Sequence, residues 1–422
     1  MKHSRRFAIS PITFHLSLLL LFTLHTSLFT LSAQVQTGAD LLFMKHFVLI
    51  KGKKVGLITN HTAVLSNGTH LADALRRNPS TDLIALFGPE HGIRGDAPDG
   101  LRRQDSIDAK TGIPVYSLYG KVYKPTREML KNIDVLVFDI QDIGARFYTY
   151  ISTLSYSMEA AAEAGIPFVV LDRPNPIRGV RMEGFIREDS LRSFVGLHPI
   201  PIAYGMTTGE LATLFNEEGW LEGGIKADLT VVRLEGWRRS MWYDETGLPW
   251  IEPSPNMKFL STAIVYPGMC LVEGTNVSEG RGTPRPFETI GAPFVNGDTL
   301  ANELNKAQLP GVLFEAIRFT PEADPRAAPN PKHVGQICGG VSIRVTRRDL
   351  FEPVRTGVHL LAVLKKLYPG NFQWRRSGID RLAGTRSLRE GIDAGKDPEA
   401  VAREWADRVA RFSRLRAKYL LY

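Results

Sequence analysis

Short apolar, β-branched runs alternate with amphipathic stretches through the first half of the chain. KKVGLITN (53–60), DLIALFG (82–88), IPVYSLYG (113–120), DVLVFDIQD (134–142) and IPFVVLDRPNP (166–176) read as strands, each bounded by Gly, Pro, Asn or Asp. Between them, LADALRR (71–77) and TREMLKN (126–132) carry helical spacing. From Phe147, the apolar positions Ile151, Leu154, Met158, Ala161 and Ala162 recur at the helical period until Gly165 and Pro167 stop them. Strands apolar on both faces and separated by helices predict a parallel, Rossmann-like sheet covered on both sides. Polar residues gather where strands end: Glu90 and His91, Asp139 and Asp142, Asp172 and Arg173. Open α/β sheets hold ligands at that carboxyl edge. No GxGxxG follows the first strand, so neither a dinucleotide nor any other cofactor is expected.

Further on, TTGELATLFNEEGW (207–220) reads as a helix with Thr207 and Glu210 at capping-box spacing, and ADLTVVRLEGW (227–237) as a strand. The prolines of WIEPSPNM (250–257) then mark a boundary between a first domain, 34–257, and a second, 258–422. Residues 261–294 are Gly/Pro-rich and polar and read as an ordered loop that carries function. VLFEAIRFTP (312–321) and GGVSIRVTR (339–347) follow as strands, and GVHLLAVLKKLYP (357–369) as a helix.

Composition narrows the class. A chain of 422 residues, 43% apolar and 23% charged, has room for two or three globular domains and is neither disordered, collagenous nor a disulfide scaffold. Residues 1–33 join Lys2, Arg5 and Arg6 to the apolar run LSLLLLFTL (16–24) and end in TSLFTLSA at Ala33, the pattern of a cleavable export signal. The run is short for a membrane span and is broken by His25 and Thr26, so no stable span is expected after cleavage. Lys and Arg number 52 against 44 Asp and Glu, a net +8 that falls to +5 without the leader. A mild basic excess on an exported protein suits anionic cell-envelope polymers. No basic run interleaved with aromatics points to nucleic acid. Cys270 and Cys338 allow at most one disulfide and no structural zinc.

Several groups have the chemistry for a site. Glu90 in GPEHGIRGD (88–96) is either a loop carboxylate bonded to backbone amides or a general acid or base. Glu273 and Glu279 lie in LVEGTNVSEGRGT (271–283) beside Arg281, where such a loop either folds over a polar ligand or is structural. Asp139, Asp142 and Arg146 in DIQDIGAR (139–146) fit a helix cap with an Arg partner as well as a direct role. Glycoside hydrolysis needs two carboxyls from opposing sides of a cleft, one protonating the leaving oxygen, the other activating water or attacking the anomeric carbon. A substrate acetamido group can replace the nucleophile, leaving the second carboxylate to orient it.

Seven segments together resemble the bacterial exo-β-N-acetylmuramidase family: GLITNHTA (56–63), LFGPEHGIRGD (86–96), FDIQDIGARFYTYISTL (138–154), LDRPNP (171–176), YGMTTGELA (204–212), PSPNM (253–257) and YPGMCLVEGTNVSEGRGTPRPFE (266–288). The resemblance implies an α/β fold: a Rossmann-like parallel-sheet domain, then a smaller C-terminal α/β domain, with the active-site cleft between them. It implies release of N-acetylmuramic acid from the non-reducing end of peptidoglycan-derived saccharides. Glu90 is then the acid/base, with Glu273 and Glu279 as candidate catalytic partners that reach the cleft, with Arg281, from the other domain. His91, Asp139, Asp142 and Asn276 are expected beside the substrate. The lactyl carboxylate of that sugar calls for a cation, for which Arg94, Arg146 and Arg281 are the candidates. Two other classes stay open: a non-catalytic binder of cell-wall sugars, and a metal-dependent hydrolase on His61, His91, Asp139 and Asp142. The spacing of those four matches no metal motif, so no metal is expected. A serine hydrolase lacks its GxSxG elbow.

Overall fold

A computed structural model describes residues 34–95 and 104–422; the leader expected at 1–33 and Asp96 of the 88–96 loop lie outside these. The predicted strands form one sheet from β1 (Lys54–Thr59), β2 (Asp82–Gly88), β4 (Pro114–Ser117), β5 (Val135–Asp139), β6 (Phe168–Leu171) and β7 (Leu229–Val232). A two-residue strand, β3 (Ser106–Ile107), is added antiparallel at the β4 edge. The order β3-β4-β2-β1-β5-β6-β7, parallel apart from β3, is that of a doubly wound Rossmann sheet with one extra edge strand.

Alternate residues of each strand point to opposite faces, and both faces are buried. Leu57, Leu83, Val137 and Val169 pack into one apolar layer with Leu41 and Leu75 of the flanking helices Gly38–Met44 and Leu71–Arg77. Ile58, Phe87, Phe138 and Val170 pack into the other with Leu154 and Met158 of the helix Tyr150–Ala164. That helix ends where the sequence predicts, on a left-handed Gly165 at φ 66°. TREMLKN departs from expectation: it forms turns rather than a helix, closing on a left-handed Asn132. Its backbone bonds are isolated turns, Leu130 N to Thr126 O, Lys131 N to Glu128 O and Ile133 N to Leu130 O, each at 3.2 Å, that do not propagate as a helix.

The second half holds a smaller antiparallel sheet, β8-β10-β9, from β8 (Thr289–Ala292), β9 (Val312–Phe319) and β10 (Cys338–Val345). The stretch 261–294 is more regular than a loop. It opens with the helix Leu260–Met269, continues as a 3-10 turn over Cys270–Gly274 and returns through β8. Its Gly and Pro serve packing. A Cβ on Gly268 would lie 1.8 Å from the carbonyl oxygen of Pro353, and one on Gly357 would lie 2.5 Å from that of Gly268. The helices Leu260–Met269 and Pro353–Leu367 thus meet backbone against backbone. Cys270 and Cys338 are both buried and free.

Candidate active site

Glu90 leaves the carboxyl end of β2 in a tight turn, with Gly92 N donating to Pro89 O at 2.9 Å. His91 has a left-handed φ of 72° although it carries a side chain, and it is buried. Backbone held in that region is strained and persists only where its surroundings dictate it, which is common at functional sites. The hydroxyl of Thr149 donates to Glu90 Oε2 at 3.0 Å. Thr149 sits at the start of the helix after β5, so ends of two different strands deliver the pair to one place.

Together they line a cavity with His91, Phe147, Tyr148, Tyr150, Ser254, Asn256, Tyr266, Arg281 and Phe287. One wall is aromatic: Tyr266 packs edge-on against Phe147, Tyr148 and Phe287 at ring separations of 5.4, 5.9 and 4.7 Å. Tyr150 is pinned by its hydroxyl to Pro253 O at 2.6 Å, and Asn256 donates to Ala327 O at 2.7 Å. An apolar wall with a few fixed polar groups suits a ligand with one greasy and one hydroxylated face.

The 271–283 segment supplies the opposite side. Arg281 lies over the Phe287 ring at 4.9 Å, and its guanidinium is 3.0 Å from Glu273 Oε1 and 3.8 Å from Glu279 Oε1. Lys332 fastens the segment, donating to Val272 O at 3.1 Å and Val277 O at 2.8 Å while pairing with Glu279 at 2.9 Å. Burial opposes the charge on Glu279, but Lys332 and Arg281 outweigh it and hold the carboxyl below its usual range. A carboxylate kept ionised in this way does not protonate a leaving group. Glu273, Glu279, Arg281, Lys332 and Arg375 line a second hollow, which shares Arg281 with the Glu90 cavity.

The structure therefore gathers Glu90, His91 and Arg281 into one cavity, with Glu273 and Glu279 beside it, and takes the other candidates elsewhere. Arg94 is paired with Asp108 and Asp73, each at 2.7 Å. Arg146, 1% exposed, donates to the carbonyls of Phe185, Ile200, Leu382 and Ala383 at 2.6–2.8 Å. Its planar fork binds backbone, not ligand. Asp139 forms a buried pair with Arg173, at 2.5 and 2.9 Å, at the end of β5. Asp142 accepts from Tyr204 and from Gly144 N. Asn276 braces a turn, donating to Asn371 O and accepting from Gln373 N. Among the described residues, no three His, Cys, Asp or Glu side chains converge on a metal position. The aromatic wall and Thr149 were not singled out by spacing, because helical periodicity assigns Phe147 to an ordinary core.

A family model described as exo-beta-N-acetylmuramidase NamZ, N-terminal, matches residues 55–261, and its C-terminal counterpart matches residues 264–422. The chain belongs to the exo-β-N-acetylmuramidase NamZ family. A curated relative, the peptidoglycan beta-N-acetylmuramidase NamZ of Bacillus subtilis (strain 168), is 51% identical over 390 residues, 92% of each chain. Crystal structures of two DUF1343 family proteins from Bacteroides fragilis share the fold. One has a TM-score of 0.85 at 39% identity, the other 0.77 at 34%, and each comparison covers 92% of this chain and 99% of the other. In this NamZ-family chain the cavity draws on both matched regions: Glu90 and Thr149 come from the first, Tyr266, Arg281 and Phe287 from the second.

Proposed function

We propose that the protein is an exo-acting β-N-acetylmuramidase that releases N-acetylmuramic acid from the non-reducing end of peptidoglycan fragments. The observation that carries this reading is the meeting of Glu90 and Arg281 in one aromatic-walled cavity. Glu90 protonates the glycosidic oxygen as the bond to the anomeric carbon breaks, and positive charge develops on the sugar ring. Water or the substrate's own acetamido oxygen attacks the anomeric carbon. The aromatic wall takes the acetamido methyl and excludes bulk water. Arg281, held by Glu273 and Glu279, faces the lactyl carboxylate that distinguishes this sugar from N-acetylglucosamine. The leader at 1–33 supports export, which would place the activity in cell-wall turnover outside the cytoplasm.

Paired aryl β-glycosides of N-acetylmuramic acid and N-acetylglucosamine test it. The purified protein should hydrolyse the muramyl compound alone, and Glu90→Gln should cut turnover by about 10²- to 10⁴-fold with the fold intact. A folded protein that binds muramyl sugars without cleaving them would instead support a cell-wall sugar binder.

A further inference from the structure

Among the described residues, three helices start behind a threonine, and one of these threonines does not cap its helix. The hydroxyls of Thr37 and Thr207 accept from Asp40 N and Glu210 N in the first turns of Gly38–Met44 and Thr208–Glu217. That is the ordinary use of the residue, which satisfies donors that a helix start leaves open. Thr149 stands at the same position before Tyr150–Ala164, yet its side chain makes no cap bond. Its hydroxyl turns instead to Glu90 Oε2 at 3.0 Å. The helix forgoes a cap and the carboxyl gains a donor.

Thr149 keeps this geometry because its neighbours hold it. Ser152 N and Thr153 N donate to its carbonyl at 3.0 and 3.1 Å. The residues that follow are tied to distant segments, Tyr150 by its hydroxyl to Pro253 O at 2.6 Å and Ser152 by its hydroxyl to Phe194 O at 2.7 Å. Thr149 is itself buried, so water competes little for its hydroxyl. The helix also brings the positive end of its dipole beside the carboxyl.

In a carboxylic acid the carbonyl oxygen is the better acceptor, so a donor on Oε2 leaves the acid proton on Oε1. As that proton passes to the glycosidic oxygen, the Glu90 O–H bond breaks. The bond to the anomeric carbon breaks with its electron pair on the leaving oxygen, and Glu90 is left as a carboxylate. A hydrogen bond to a carboxylate is stronger than one to the neutral acid. The Thr149 bond therefore tightens as the reaction proceeds, which lowers the barrier without holding the ground state.

We propose that Thr149 is a positioning residue for this reaction: it sets which oxygen of Glu90 carries the proton and stabilises the charge left when the proton departs. The proposal rests on the muramidase reading. Thr149 then matters only as far as the leaving group needs a proton.

The test compares kcat/KM for the phenyl and dinitrophenyl β-glycosides of N-acetylmuramic acid, since dinitrophenolate leaves without a proton and phenolate does not. Thr149→Val should lose about tenfold on the phenyl compound and stay within about twofold of wild type on the dinitrophenyl compound. Thr149→Ser, which keeps the hydroxyl, should recover most of the phenyl activity. A ratio taken within one preparation is unaffected by a partly unfolded fraction. An equal loss on both glycosides in Thr149→Val, or no loss on either, would overturn the positioning role and leave the muramidase standing. Glu90→Gln, run alongside, should show the same dependence on the leaving group more deeply. A loss in that variant that ignores the leaving group would remove Glu90 as the acid and Thr149 with it, and a wild type that cleaves neither glycoside would remove the muramidase reading itself.

Discussion

Arg146→Gln separates recognition of substrate from support of the fold. Arg146 is fully enclosed, and all its described hydrogen bonds go to backbone: two carbonyls in the 185–200 region and two at the C-terminal end of the helix Arg376–Ala383. A hydrogen bond from a charged donor is worth about 1.5–3 kcal/mol, so the four together are large in gross terms. Taking the cation out of water costs several kcal/mol in return. Its removal leaves buried carbonyls without a donor at about 1–3 kcal/mol each, and two or three of these, once the glutamine amide has re-satisfied some, give a net loss of about 3–5 kcal/mol. Unfolding entropy of about 2.1 cal/mol/K per residue converts that, for a chain of this size, into a fall in Tm of roughly 4–6 °C. Arg146→Lys should fall between wild type and Gln, since an ammonium keeps the charge but does not match four acceptors in a planar fork. Calorimetric Tm and the ratio of muramyl to glucosaminyl turnover are read on the same samples. The reasoning predicts a lower Tm and an unchanged ratio. An unchanged Tm with a collapsed ratio would refute it and return Arg146 to the substrate.

Three other outcomes follow from the same geometry. Arg281→Gln should erode the preference for muramyl over glucosaminyl substrates by about tenfold, the worth of one good charge-assisted pair; equal loss on both substrates would count against a lactyl contact. Burial raises the Asp142 carboxyl from 3.8 to about 7, so between those values the folded state holds a proton that the unfolded state has lost. The stability this proton provides is complete below pH 4 and lost as pH rises through 7, so Asp142→Asn should gain on wild type between pH 5 and pH 8 in thermal melts, and parallel curves would contradict this. Glu279→Gln should weaken muramyl binding without abolishing turnover, because Glu279 is held ionised by Lys332 and Arg281; a loss as deep as that of Glu90→Gln would make it a second reacting group.

The parallel sheet was readable because each strand is apolar on both faces, and that signal is local. The polar residues at strand ends were equally visible, yet only part of them reach the cavity. Asp139 and Arg173 consume each other at the strand ends where a doubly wound sheet ordinarily takes its ligand, and Asp142 is consumed by Tyr204. A one-dimensional reading shows that such groups share an edge but not which of them neutralise one another. Arg146 illustrates the same limit, since two of its acceptors lie more than two hundred residues along the chain. The helix Leu260–Met269 was hidden by Pro267 and Gly268, which sequence statistics treat as breakers. Here Pro267 falls near the helix end, and Gly268 is required by a neighbour that only the folded chain reveals.

That neighbour has a consequence for how the enzyme can vary. Where side chains mediate a helix contact, a larger residue on one side can be matched by a smaller one opposite, and the pair drifts over generations. At Gly268 and Gly357 there is nothing left to shrink. The contact therefore works as a fixed gauge, and Tyr266 and Glu273, carried on the same rigid stretch, inherit its tolerance. Libraries aimed at new glycan preferences should yield their hits in the segments around 281–287 and 327–332 and return wild type at 268 and 357.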